Sequence, residues 1–448
     1  MTETTRVWRF AVAAILLAVA FTPAAEAARE AVDVTLSQSV IMAGAPQTVY
    51  LKIGLSVDGE SNYRAPVNVA LVIDRSGSMQ GEKLVRAKEA ARLAVNRLRS
   101  DDIVSVIAYD DTVRTLLPAT KVADRTAVLA AIDRLQPGGS TALFAGVSVG
   151  AAEVGKFLDQ ERVNRIILLS DGLANVGPDS PSELGALGAS LKKQGIAVST
   201  IGLGLGYNED LMARLAGRSD GNHAFVEHPR DLARIFDLEF GDALSVTAQD
   251  VLVRIECSPG VRPVRVLGRE AEITGRVVTV SVNQLYDAEK QHVLLELEAP
   301  AGTNGEARRL AEVSWSYLRM GKTTVAEMGS RWVRASYSGN NDLVTASEAA
   351  DVMVAVVEQI ATEKNRLAVD LRDQGRIEEA QLLLLQNTAY AKDKAQQYDS
   401  QILFDVAQEN EADAENIVKQ EEWTAQRKNM RAIQNSRGAQ RVSTPPPE

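Results

Sequence analysis

The chain has 448 residues, enough for about three domains of ordinary size, and an apolar share of 45% rules out general disorder. Its 59 acidic against 49 basic side chains leave a formal charge of −10, which argues against nucleic acid or an anionic lipid surface as the main partner. A single cysteine, Cys257, excludes an internal disulfide framework, and its place in the alternating run Val251, Val253, Ile255, Cys257 reads as a buried structural thiol.

Residues 1–27 begin with Arg6 and Arg9, continue through the apolar run Phe10 to Phe21, and end in Ala25-Glu26-Ala27, the small-x-small pattern of a signal-peptidase site. They are read as a signal peptide, with the mature chain starting near Ala28. The apolar run is too short to span a bilayer, which takes roughly 20 residues, and no later segment is long and apolar enough. The expectation is therefore a mature chain with no transmembrane span, in the periplasm, secreted, or at a bacterial cell surface.

Residues 28–65 alternate apolar and polar at Val32, Val34, Leu36 and again at Val49, Leu51, Ile53, Leu55, Val57, with Gly44-Ala45-Pro46 as the turn between. Two half-buried strands are marginal alone, so they need a partner sheet, and residues 246–335 are the expected one.

From 66 to 243 apolar runs alternate with helical stretches, the pattern of repeated βα units in a doubly wound, mostly parallel sheet. Strands are expected at Val67–Ile73, Ile103–Tyr109, Val163–Leu169 and Ile196–Gly202. Helices are expected at 80–98, 123–134, 143–158, 181–194, 208–216 and 229–240. Pro181 after Ser180 is a helix start, and Gln194-Gly195 a stop.

Period-two runs return over 244–335, at Val264/Val266, Val278/Val280/Val282, Val293/Leu295/Leu297 and Val313/Trp315/Tyr317, and read as a β-sandwich. The 28–65 strands should complete it, which makes the α/β domain an insertion. Residues 340–436 read as helical, with Met353, Val356, Ile360, Leu367 and Leu371 along one face, a second helix from Ile377 to Tyr390, and a helical, polar stretch over 404–433. Only one copy of this helical pair occurs, so a packed hairpin is favoured over a repeat array. Residues 437–448, ending in prolines, read as a disordered tail.

The chemistry concentrates where the first strand ends, at Asp74-Arg75-Ser76-Gly77-Ser78. Open α/β sheets bind ligands at the carboxyl ends of their strands. Thr141, in Gly138-Gly139-Ser140-Thr141, and Asp171, after the run Val163 to Leu169, supply further oxygens. Two carboxylates and three hydroxyls with no His or Cys form a hard set that suits Mg²⁺ best, with Mn²⁺ or Ca²⁺ as alternatives, and not Zn²⁺.

This Asp-x-Ser-x-Ser … Thr … Asp pattern, with Gly172 after Asp171, resembles the metal-ion-dependent adhesion site of von Willebrand factor A domains. The resemblance implies that Ser76 and Ser78 coordinate directly and Thr141 directly or through water. Asp74 and Asp171 would act largely through water, and a partner protein would supply the last oxygen as a carboxylate. The order of parts also resembles a bacterial family loosely labelled after calcium-activated chloride channels. The label is not taken as function, because a channel must span the membrane.

An enzyme is not expected. Gly146-Val147-Ser148-Val149-Gly150 matches a hydrolase elbow but lies in a helix, and His223, His228 and His292 form no companion pattern. Gly202-Leu203-Gly204-Leu205-Gly206 lacks the context of a phosphate loop. Asp110 and Asp111 read as solvated loop carboxylates, with a role in a second metal shell as the alternative. The expected function is metal-dependent protein binding. A scaffold that binds through its helical tail, or an accessory factor for an AAA-type ATPase, are the alternatives.

Overall fold

The computed structural model describes residues 32–59, 63–287, 289–321 and 323–443, with the side chains of 441–443 excepted. The expected signal peptide lies outside them. Alternation in the first segment produces strands β1 (Val32–Leu36), β2 (Val40–Met42) and β3 (Gln47–Leu55), and β3 buries Val49, Leu51, Ile53 and Leu55 completely or nearly so. β1 and β3 pair antiparallel, Val34 opposite Ile53. The expected single hairpin is corrected in one respect. β2 does not pair with its chain neighbours but runs parallel to a late strand, Ile41 opposite Tyr337, so the segment contributes to two sheets.

Next comes the α/β part: β4 (Val67–Asp74), α1 (Glu82–Asn96), β5 (Ile103–Tyr109), β6 (Val113–Lys121), α2 (Arg125–Asp133), α3 (Leu143–Gly155), β7 (Val163–Ser170), α4 (Pro181–Lys193), β8 (Ile196–Leu203), α5 (Glu209–Arg218), β9 (His223–Val226) and α6 (Leu232–Leu244). The sheet order is β6-β5-β4-β7-β8-β9, parallel except for β6. Every residue of β4, β5, β7 and β8 is buried, because helices cover both faces; this is why these strands read as unbroken apolar runs. Helix α4 starts as expected, with Pro181 at its first turn and a reciprocal Ser180–Glu183 capping box. The sequence reading missed β6 and β9. β6 is a half-exposed edge strand with two register shifts, so it shows neither alternation nor an apolar run.

The chain then returns to antiparallel strands: β10 (Val246–Cys257), β11 (Arg262–Leu267), β12 (Glu272–Thr274), β13 (Val277–Tyr286), β14 (Glu289–Ala299), β15 (Ala307–Arg319) and β16 (Val325–Ser338). One sheet runs β12-β13-β10-β15-β16-β2, the other β1-β3-β14-β11. β14 pairs with β3 along its length, Leu295 opposite Leu51, so the opening strands do complete the β-sandwich, and the α/β part is inserted between them and β10.

Five helices follow: α7 (Asn341–Ala346), α8 (Ala350–Asp373), α9 (Ile377–Tyr398), α10 (Gln401–Asn416) and α11 (Trp423–Gly438). The helical, polar stretch expected over 404–433 forms α10 and α11. The proposed face of α8 is also rotated: Val356 and Leu371 are buried but Leu367 is 50% exposed. The buried stripe is instead Val352, Ala355 and Val356, which lies on Leu267 and Leu294 of the sandwich. The disordered tail is corrected too. Residues 437–443 are ordered, and β17 (Arg441–Ser443) pairs antiparallel with the start of β14. Buried Gln440 donates to the Leu267 carbonyl at 2.7 Å.

α11 also ties the helices to the α/β part. Arg427 bonds Glu209, Asp210 and Asp373, Arg431 bonds Asp210 and Asp370, and Lys428, 2% exposed, bonds Glu209 and the Tyr207 carbonyl. Burial disfavours ionised Glu209 and Asp210, but the hydrogen bonds and charges of these cations outweigh it and hold both carboxyls below their ordinary range. A depressed carboxyl stabilises the fold above its unfolded pKa and loses that contribution as pH falls through its folded value. Lys428→Met should therefore cost about 3 kcal/mol in urea unfolding at neutral pH, because it removes one partner of a buried pair. The deficit should shrink on acidification below the carboxylate range.

Candidate functional site

The sheet order reverses at β4. The chain moves outward to β5 and β6, then resumes on the other side with β7, so the loops after β4 and β7 part and leave a crevice between them. Asp74 is the last residue of β4 and is fully buried. Its Oδ1 accepts the Ser76 amide at 2.8 Å and its Oδ2 the Ser170 hydroxyl at 2.6 Å. A short 3₁₀ turn, Gly77–Met79, follows, and the buried Met79 side chain anchors it. The Ser76 and Ser78 hydroxyls lie 3.0 Å apart, and Ser78 donates to Asp171 Oδ1 at 2.6 Å.

Thr141 arrives from the loop before α3. Two bonds hold that loop to the β4 turn, Gly77 N–H to the Gly139 carbonyl at 3.1 Å and Gly138 N–H to the Arg75 carbonyl at 2.7 Å. Thr141 itself exchanges bonds with Asn175, its N–H to Asn175 Oδ1 at 2.8 Å and its carbonyl from Asn175 N–H at 3.1 Å. All five residues singled out in the sequence thus meet in one place. Gly172 shows how closely: a methyl group there would lie 3.0 Å from Thr141 Oγ1, 3.4 Å from Ser78 Oγ and 3.7 Å from Ser76 Oγ. Three hydroxyls therefore surround one small space, which glycine leaves open.

Electrostatics favour a positive occupant. Asp74 and Asp171 are 0% and 1% exposed, and the cation facing them is Lys83, from the first turn of α1, which bonds Asp171 Oδ2. Burial, with a smaller contribution from the Asp171 charge, pushes the Asp74 carboxyl up to about 6 against the hydrogen bonds from Ser170 and Ser76. The donor set fits a hard divalent cation. Among the described residues no cluster of three or more His, Cys, Asp or Glu forms a rival metal site.

Arg75 does not crowd the site. It turns to Asp110 and to the Gln136 carbonyl at 3.1 Å. Asp110 is accordingly not the solvated carboxylate expected. It is 3% exposed, accepts the Thr112 amide and hydroxyl at 2.8 Å, and its carbonyl receives Ala142 N–H at 2.7 Å, which steadies the loop carrying Thr141. Asp111 is exposed, as read. Ser170, Lys83 and Asn175 were missed. Ser170, next to Asp171, was within reach of sequence reasoning; Lys83 and Asn175 carry no spacing signal.

The rival motifs dissolve. Ser148 donates to the Phe144 carbonyl within α3. Gly202 lies under the Tyr207 ring, and a methyl group on Gly206 would stand 2.8 Å from the Asp171 carbonyl, so these glycines make room for close packing. His223 is buried against Thr200, and desolvation pushes it down to about 4.

A doubly wound sheet with a hard-oxygen crevice at its switch point defines the class, and the von Willebrand factor type A domain model matches residues 68–237. This part of the chain is a von Willebrand factor type A (VWA) domain. Among curated proteins the chain is 30% identical over 275 residues to "Uncharacterized protein sll0103" of Synechocystis sp., 58% of this chain and 64% of that one. It is 31% identical over 228 residues to "Uncharacterized protein YfbK" of Escherichia coli, 50% of this chain and 40% of that one. It thus spans less than two thirds of either relative. A solved von Willebrand factor type A structure from Catenulispora acidiphila superposes with a TM-score of 0.68 at 19% identity, covering 82% of this chain and 87% of that one, a likeness of fold. The matches lend no support to the channel-labelled resemblance.

Asp74 offers a test that needs no added ion. Burial holds its folded pKa at about 6, above the ordinary 3.8, so its contribution is fully present below about pH 4 and lost as pH rises through about 6. Asp74→Asn should be more stable than the parent at pH 7 in chelator, by about 1–3 kcal/mol from urea unfolding, and the advantage should vanish near pH 4.

Proposed function

We propose that this chain binds a partner protein, outside the cytoplasm, through a divalent cation held by Asp74, Ser76, Ser78, Thr141 and Asp171. The supporting observation is the small space ringed by three hydroxyls beside two buried carboxylates, of which Asp171 is paired with Lys83. When bound, the cation would supply an electrophilic centre for one carboxylate oxygen of the partner. The protein's own groups set this up. Two aspartates balance a divalent charge while the hydroxyls add none, so affinity for another anionic oxygen is retained. Mg²⁺ is the first choice, with Mn²⁺ and Ca²⁺ as alternatives. Export rests on the leader-like residues 1–27, and no helix among the described residues is long and apolar enough to cross a membrane.

A scaffold reading has one observation in its favour: Leu382, Leu385, Ile402 and Phe404 of α9 and α10 are 42–56% exposed. Isothermal titration of Mg²⁺ into the chelator-treated chain separates the two. Binding near one equivalent is expected, with loss in a Ser76→Ala, Ser78→Ala double variant. Heat from the parent and the variant alike, or from neither, defeats the metal reading and favours the helical surface. Gly172→Ala should also abolish Mg²⁺ binding, because its methyl group fills the space between the hydroxyls, with stability in chelator changed by less than about 1 kcal/mol.

A further inference from the structure

Two exposed apolar residues that the metal reading does not use lie next to site residues along the chain. Leu173 is 58% exposed and Leu205 48% exposed. A lone exposed leucine means little, but the position of this pair is specific. Leu173 stands two residues beyond Asp171. Leu205 is the middle residue of a loop whose two neighbours both reach the site: a methyl group on Gly206 would be 2.8 Å from the Asp171 carbonyl, and one on Gly204 3.8 Å from Lys83 Nζ. Both leucines are thus exposed residues on the chain segments that meet at Asp171 and Lys83. Lys83, with 31% of its side chain exposed, is the cation presented there, whereas Arg75 is 12% exposed and committed to Asp110.

Resting on the function proposed above, we infer that the site takes a protein segment in which a single carboxylate is neighboured by apolar side chains, and discriminates against polyacidic segments. The carboxylate answers the positive centre made by the cation and Lys83, whose ammonium has donors beyond the one used on Asp171. Apolar neighbours cover Leu173 and Leu205 and remove them from water. A run of acids would place further charges against apolar side chains and a chain whose own charge is −10.

The test uses three fluorescein-labelled, C-terminally amidated peptides, Gly-Leu-Asp-Leu-Gly, Gly-Ser-Asp-Ser-Gly and Gly-Asp-Asp-Asp-Gly, titrated with the full chain in Mg²⁺ and in chelator by polarisation. The leucine peptide should bind about tenfold more tightly than either other peptide, only in Mg²⁺, and a Leu173→Ser, Leu205→Ser variant should lose that preference while its calorimetric Mg²⁺ affinity is kept. Equal affinities, preference for the acidic peptide, a preference that survives in the variant, or no peptide bound by a chain that does bind Mg²⁺ would each overturn the inference and leave the metal site standing. Failure of Mg²⁺ itself to bind would overturn the function, and the inference with it. Binding of the leucine peptide unchanged by chelator would also overturn the inference as stated, because the carboxylate would then have no metal to answer.

Discussion

Two carboxylates buried side by side govern this molecule's most informative region. Asp74 ends β4 and Asp171 directly follows the adjacent parallel strand β7, so backbone pairing between the two strands sets their spacing before any ligand is present. Charge held so far from water is costly unless it is matched. The match is built in layers: Ser170, Ser76 and Ser78 donate hydrogen bonds, Lys83 supplies one charge, and Arg75 with Asp110 steadies the neighbouring loop without adding net charge. What remains is a deficit of positive charge in a space bounded by hydroxyls, which is the physical content of a cation site.

The fold and the five site residues were largely legible in the sequence because each depends on a local pattern. Strands covered on both faces must be apolar throughout, and Asp-x-Ser-x-Ser can follow only the strand end it occupies. The misses have equally local causes. β6 lies at a sheet edge where burial no longer writes a pattern, and β2 is too short to show one. Asp110 looked solvated because its guanidinium partner lies 35 positions earlier, a pairing that only the crossing of two loops creates. Lys83 reaches Asp171 from α1 for the same reason.

The β-sandwich adds burial beyond the period-two pattern expected at Val293, Leu295 and Leu297. Val293, Leu294 and Leu295 are all buried, although an antiparallel strand with one wet face should alternate. Helix α8 covers the second face at Leu294, so the apolar run on β14 records the helix lying against it. The same packing moved the buried stripe of α8 away from Leu367. Covering a sheet face, not helix pairing alone, decided which side of α8 is apolar.

The insertion of the VWA domain has a consequence for how the chain acquires its structure. β3 and β10 lie in different sheets of one sandwich, yet roughly 190 residues separate them, and closing a flexible loop of that length costs about 5 kcal/mol. A VWA domain that folds first shortens that loop to the distance between its own two ends. The sandwich then assembles around a finished insert, and it is complete only when β17 reaches β14. On a ribosome the parallel sheet would thus be first to form, and the strands made earliest would wait, with their apolar faces open, for partners made more than two hundred residues later.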